Sequence, residues 1–170
     1  ELPALSATAQ AAARDYVLAD LRMVVPGDLR ISESNSWYPF VDVVWRGDPV
    51  GARRAQIAAL FQDAAARNIA TPAEGQRPVI ADVTLRRFHG VTERTRYTVG
   101  GVYSIRFELT IRDAETGVIL EPARLIEADL PAPGGQAAVE PDRAGQTERV
   151  RVTDHLPWVL RQQLGLGGPF

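Results

Sequence analysis

The sequence predicts an α+β domain, a mainly antiparallel sheet of about four strands with two helices packed on one face, in the order strand-helix-strand-strand-strand-helix. Three observations carry this. Residues 100–112 alternate: Tyr103, Ile105, Phe107, Leu109 and Ile111 are apolar, whereas Ser104, Arg106, Glu108, Thr110 and Arg112 are polar. Strand side chains point to alternate faces, so this is a strand with one packed face and one wet face. Next, Asp113-Ala114-Glu115-Thr116-Gly117 reads as a turn into Val118-Ile119-Leu120, which makes an antiparallel hairpin. Finally, Val50, Ile57, Leu60, Phe61 and Ala64 recur at helical spacing, as do Val152, Leu156, Val159, Leu160 and Leu164. Two apolar stripes of this kind need a sheet face to cover.

The elements follow in order. Residues 1–14, rich in Ala, Ser, Thr and Pro, are expected to form either a frayed helix or a flexible tether of the kind that follows an export leader. A single domain is expected over 15–164 and a C-terminal tail over 165–170. Residues 16–25 alternate, with Val17, Ala19, Leu21, Met23 and Val25 on one face, and Pro26-Gly27 ends that strand. Residues 29–36 are polar and looped or extended. Trp37-Tyr38-Pro39-Phe40 is an aromatic cluster around a proline, and 41–45 is a short strand or an extended approach to the helix.

Gly47-Asp48-Pro49 predicts a helix start, with Asp48 as N-cap and Pro49 in the first turn. The helix should stop near Asn68. Residues 79–88 form the next strand, with Val79, Ala81, Val83 and Leu85 facing in, and 89–98 connect it to the hairpin. The second hairpin strand runs on through Arg124 to Leu130, and Pro122 marks an edge position or a bulge. Residues 131–145 read as loop. Pro157 allows the last helix to begin at Thr153-Asp154 or, kinked, near Thr147; the longer helix is predicted, closed by Gly165.

Composition narrows the chemistry. At 170 residues the chain can bury a proper core, and no apolar run approaches the roughly 18 residues of a membrane-spanning helix. A net charge of -2, with few aromatics among the basic residues, argues against nucleic acid. There is no cysteine, which removes disulfides, thiol nucleophiles and thiolate metal sites. All 19 basic residues are arginine, which removes Schiff-base and P-loop lysines. With the many Ala, Gly and Pro residues, this reads as the coding bias of a GC-rich bacterial genome. The chain begins Glu1-Leu2-Pro3 and holds one methionine, Met23, so either it is trimmed or a leader has been removed.

No reaction can be read from the motifs. His89 and His155 lack a His-x-x-x-His or His-Glu-x-x-His partner and are expected to be boundary histidines with local hydrogen bonds. Ser104 lies inside a strand, not on a Gly-x-Ser-x-Gly elbow, and none of the Gly-Gly pairs belongs to a phosphate-binding loop. No catalytic residue, metal or cofactor is assigned.

Two surface features stand out. Arg77, Arg86, Arg87, Arg94, Arg96, Arg106 and Arg112 face few acidic residues in sequence, and Arg86, Arg94, Arg96 and Arg106 are candidate anion-binding residues. The competing reading is a solvated sheet face with cross-strand charge pairs through Asp82 or Glu108. Trp37, Tyr38 and Phe40 are candidate partner-binding residues, while Trp45 is expected to cap the core.

Trp45-Arg46-Gly47-Asp48-Pro49, Arg96-Tyr97-Thr98-Val99-Gly100-Gly101, the turn at 113–119 and Val152-Thr153-Asp154-His155-Leu156 together resemble an uncharacterised family. Its members are exported, lipoprotein-like proteins of alphaproteobacteria, catalogued as a domain of unknown function. The resemblance spans roughly 16–164 and brings no catalytic residues with it. It implies a periplasmic location, with an outer-membrane anchor through a lipidated cysteine upstream of Glu1. The expected function is a non-catalytic envelope module contacting a protein partner or a membrane surface. The alternative is a small-molecule-binding domain or enzyme with a pocket between sheet and helices.

Overall fold

The computed structural model describes residues 14–33, 41–90, 101–132 and 147–166. Among the described residues, six strands and two helices follow one another as β1 (Tyr16–Val24), β2 (Val43–Val44), α1 (Arg53–Ala66), β3 (Arg77–His89), β4 (Gly101–Asp113), β5 (Ile119–Glu127), β6 (Leu130–Ala132) and α2 (Glu148–Leu164). The main path across the sheet is β1-β3-β4-β5, with β2 paired to β3 and β6 paired to β4.

The sheet is mixed, not mainly antiparallel, and has six strands where about four are expected from the sequence. β1 and β2 both run parallel to β3, while β3-β4, β4-β5 and β4-β6 are antiparallel. The cause is α1. It carries the chain back along the sheet, so β3 starts from the same end as β1 and must run the same way. The extra strands are short continuations at the two edges.

Both helices lie on one face. Leu18, Leu21, Val79, Ala81, Val83, Leu85, Phe107, Leu109 and Ile111 from the strands meet Ile57, Leu60, Phe61, Val152, Leu156 and Leu160 from the helices in one core. Aromatic rings run through it edge to face: Trp45 on Phe88 at 5.5 Å, Phe61 on Phe88 at 6.4 Å, and Phe61 on Phe107 at 5.2 Å. Trp45 is fully buried and caps the core as expected.

Local chemistry explains the element ends. In the 113–117 turn, Asp113 Oδ1 accepts from the backbone N–H of Glu115 and Thr116, each at 2.9 Å, and Gly117 takes the left-handed φ of 74° that closes it. α2 is the longer of the two predicted helices. Thr147 is its N-cap and accepts from Val150 N–H, and Gly165 at φ 64° ends it. Pro157 sits inside that helix without a backbone donor to offer Thr153, and the Arg67 guanidinium donates to that carbonyl at 3.3 Å instead.

Two boundaries differ from expectation. α1 begins at Arg53, not at Pro49, and its N-cap is Ala52, which has no side-chain cap bond. Residues 49–51 stay outside the helix because Arg53 Nη1 takes the carbonyls of Asp48 and Pro49, and Val50 is left exposed. In β1 a register shift between Leu18 and Asp20 changes the face: Tyr16 and Leu18 point into the core, Ala19 is exposed, and the expected phase returns at Leu21 and Met23.

Candidate functional site

One end of the sheet collects the chemistry. β1 ends there, β2 pairs there with Phe88 and His89, β4 starts there, and β6 pairs there with Gly101 and Tyr103. Glu33, Val41, Gly90, Gly101, Ala132 and Thr147 are the described residues that flank segments 34–40, 91–100 and 133–146, and all of them belong to this end. The opposite end holds the short turns at 73–76 and 113–117 and the start of β1.

A polar clamp builds the first end. The Asp48 carboxylate accepts from the Trp45 indole N–H at 2.7 Å and is ion-paired with Arg149 at the start of α2. It is therefore not the cap of α1: the indole and the guanidinium occupy its oxygens. Arg53 is almost wholly buried. It donates through Nε and Nη2 to the two oxygens of Glu33, at 2.7 and 2.9 Å, and through Nη1 to Gln56 at 2.8 Å. The Arg53 hydrogen bond holds the Glu33 carboxyl below its ordinary range. Arg54 donates to the carbonyls of Gly27 and Leu29. Two arginines in the first turn oppose the helix dipole, so their reason lies in these tertiary bonds. At Gly90 a Cβ would stand 2.8 Å from the Val44 carbonyl, so only glycine lets the strand end pass so close.

The face of the sheet away from the helices adjoins this end. Arg86 pairs with Glu108 at 2.8 Å. Arg106 faces Glu127 at 3.8 Å and Asp129 at 3.9 Å. Lower on the same face Arg112 is ion-paired with Asp82. Cross-strand charge pairs of this kind are what the competing sequence reading describes. Arg94 and Arg96, and the aromatic residues Trp37, Tyr38 and Phe40, lie outside the described residues.

His155 Nε2 lies 3.0 Å from the Ala128 carbonyl, and its ring stacks on Trp158 at 6.1 Å. His89 ends β3, opposite Ser104. Among the described residues no group of three or more His, Cys, Asp or Glu could hold a metal ion, and no helix is long and apolar enough to cross a membrane.

Sequence reading misses Arg53 and Arg149, since their partners are 20 and 101 residues away. The one available signal is Arg53-Arg54 at a helix start, where basic residues are out of place. Trp158 is also missed: it is about half exposed on the outer side of α2, in a helix read only for its apolar stripe.

The model of a family of unknown function, DUF6778, matches residues 16–169, and the chain belongs to that family. Among solved structures the chain is similar to a Xanthomonas campestris protein of family DUF330, with 11% identity, coverage of 88% of this chain and 81% of that one, and a TM-score of 0.46. It is also similar to a candidate lipoprotein from Caulobacter crescentus, with 12% identity, coverage of 85% and 87%, and a TM-score of 0.34. A third similar structure is an uncharacterized protein at 16% identity, with coverage of 89% and 86% and a TM-score of 0.37. No curated protein sequence matches the chain.

Proposed function

We propose that this member of the DUF6778 family is a non-catalytic binding module of the cell envelope. Its target is a protein partner, met at the end of the sheet where segments 34–40, 91–100 and 133–146 are rooted. One observation carries the reading: the residues flanking all three segments stand at one end, while the other end is closed by short turns. Long connections gathered on a rigid scaffold are where recognition concentrates. These segments hold Trp37, Tyr38 and Phe40, the aromatic candidates for partner contact, and Arg94 and Arg96, candidates for anion contact together with Arg86 and Arg106.

Two further points support it. Between helices and sheet, Trp45, Phe61, Phe88 and Phe107 pack together, each at most 1% exposed, so among the described residues these rings leave no room for a ligand between them. Arg14 and Asp15 stand at the far end beside the start of β3, with Arg77 N–H donating to the Asp15 carbonyl at 2.7 Å. A lipid anchor ahead of Arg14 would join the domain at the end opposite the three segments, which agrees with a protein partner other than the anchoring bilayer.

The test is capture from solubilised envelope membranes with the immobilised chain, beside a Trp37→Ala/Tyr38→Ala variant. The variant should melt at nearly the same temperature and lose most of the specific capture. A large fall in its melting temperature would make the two rings core residues and remove this contact. Equal capture by both chains would count against the aromatic segment as the partner site.

A further inference from the structure

The open face of the sheet contains an arrangement of charge that pairing alone does not explain. β3 bulges between Leu85 and Arg87, so Arg86 and Arg87 oppose the single residue Arg106 on β4. The pattern of burial shows the result: Leu85 and Phe88 are buried, while Arg86, Arg87 and Arg106 all keep some exposure. Like charges directly across a strand pair repel, and a sheet ordinarily avoids them.

The carboxylates nearby divide unequally. Glu108 is taken by Arg86 at 2.8 Å. Glu127 and Asp129 come no nearer to Arg106 than 3.8 and 3.9 Å, beyond hydrogen-bonding distance. Arg106 Nε is buried and has no hydrogen-bond partner. Arg87 bonds to neutral acceptors, Ser104 Oγ at 3.2 Å and the Val41 carbonyl at 3.5 Å, and among the described residues no carboxylate lies within ion-pair distance of it. Arg87 and Arg106 thus stand opposite each other in register at a bulge, Arg106 with two carboxylates at ion-pair distance but beyond hydrogen-bonding reach and Arg87 without an ion pair among the described residues.

We propose that Arg87 and Arg106, brought opposite each other by the bulge at Arg86, bind a phosphate group on the open sheet face. Guanidinium forks match phosphate oxygens, and a phosphate between them turns the repulsion into two charge-assisted contacts. Arg86 is charge-matched by Glu108 at 2.8 Å, so the proposed contacts fall to Arg87 and Arg106. The phosphate comes either from a small soluble phosphate or from the headgroup of an anionic lipid, which share this chemistry. The inference deepens the anion-contact part of the binding reading at Arg106 and does not depend on the aromatic partner contact, since it concerns residues on the strands themselves.

The experiment uses the whole chain with Arg87→Gln and Arg106→Gln variants. Inorganic phosphate, compared with chloride at matched ionic strength, should raise the melting temperature of the parent, with a logarithmic rise above its Kd. Each variant should weaken that response by about tenfold or more, the loss of one charge-assisted bond. Without phosphate and at low salt, each variant should melt at the same temperature as the parent or higher, because the like-charge contact is relieved. Sedimentation with phosphatidylglycerol vesicles, beside phosphatidylcholine vesicles, separates the sources: binding that both variants lose identifies a lipid headgroup, and its absence beside a positive phosphate response identifies a soluble ligand. An equal phosphate response in parent and variants would be a general salt effect and would overturn the proposal, as would no response to phosphate or to either vesicle. Envelope capture by Arg87→Gln, measured separately, keeps the fate of the partner site distinct.

Discussion

Asp48 shows how one side chain can be read correctly as an acceptor and wrongly as a cap. Its carboxylate does bind donors, but they are the Trp45 indole and the Arg149 guanidinium, not the N–H groups of α1. A double-mutant cycle distinguishes the two roles. Asp48→Ala and Arg149→Ala should show a coupling of about 0.5–1 kcal/mol, as for a partly exposed ion pair. A helix cap would show none, because Arg149 plays no part in it. Phe107 and Arg106 give the matching contrast within one strand. Phe107 is fully buried against Phe61, so Phe107→Ala should cost about 3–5 kcal/mol by urea unfolding. Arg106→Ala should change stability little, since its side chain is 42% exposed and its ion pairs are long.

At the scale of elements, the two helices are joined by more than apolar contact. Asn68, just past the end of α1, is buried and donates to the Ala64 carbonyl at 3.1 Å and to the Pro157 carbonyl at 3.0 Å. Asn68→Ala removes both bonds from the buried seam and should destabilise by about 1–3 kcal/mol. Asn68→Asp, which cannot donate, should be no milder; a neutral effect of both would mean that the seam is held by packing alone. The sheet edges are also distinct. β1 is partly covered, since Ala70 N–H donates to its Leu18 carbonyl and Gln62 to that of Leu21. β5 is protected differently: two register shifts against β4, together with Pro122, interrupt its outer row of backbone groups. The sequence reading of Pro122 as an edge or bulge residue was sound on both counts, because the missing N–H has a local consequence wherever the strand sits.

Across the whole molecule, polar networks stand at both ends of the sheet. At the end away from the three segments, Arg14 is ion-paired with Glu121 beside Tyr16, and Arg124 binds Gln163 at 2.6 Å, closing the core beneath the C-terminus of α2. Burial alone would raise the Glu121 carboxyl, yet the hydrogen-bonded Arg14 guanidinium, with Tyr16 beside it, holds it below its ordinary value of 4.5. Glu33 is lowered by Arg53, and Asp113 by the Thr116 N–H of its own turn. Carboxylates lowered by folding contribute stability that is present above their unfolded values and is lost as pH falls through the folded ones. Thermal midpoints should therefore be level near neutrality and fall progressively below about pH 4.5. Glu121→Gln should start lower at neutral pH and show a shallower acid decline. An unchanged decline would place the acid sensitivity elsewhere.

The sequence by itself determined what depends on near neighbours: the alternation of β4, the 113–117 turn with its Asp113 and Gly117, the inward face of β3, the stripes of both helices, and the Thr147 start of α2. Each is a period or a bond spanning a few residues, so local order is enough to reveal it. It also showed that Arg86 and Arg106 would lie on the wet faces of neighbouring strands. Tertiary structure decided the rest. The parallel pairing of β1 with β3 follows from how α1 returns the chain, and the alternation inside either strand is the same for both pairings. The bulges at Ala19 and Arg86 depend on register between strands; a single chain segment carries no record of it. The Arg53–Glu33 and Arg149–Asp48 pairs, and the gathering at one end of the residues that flank 34–40, 91–100 and 133–146, exist only once distant parts of the chain are packed together. A charge announces that it will need a partner, and only the fold chooses which one.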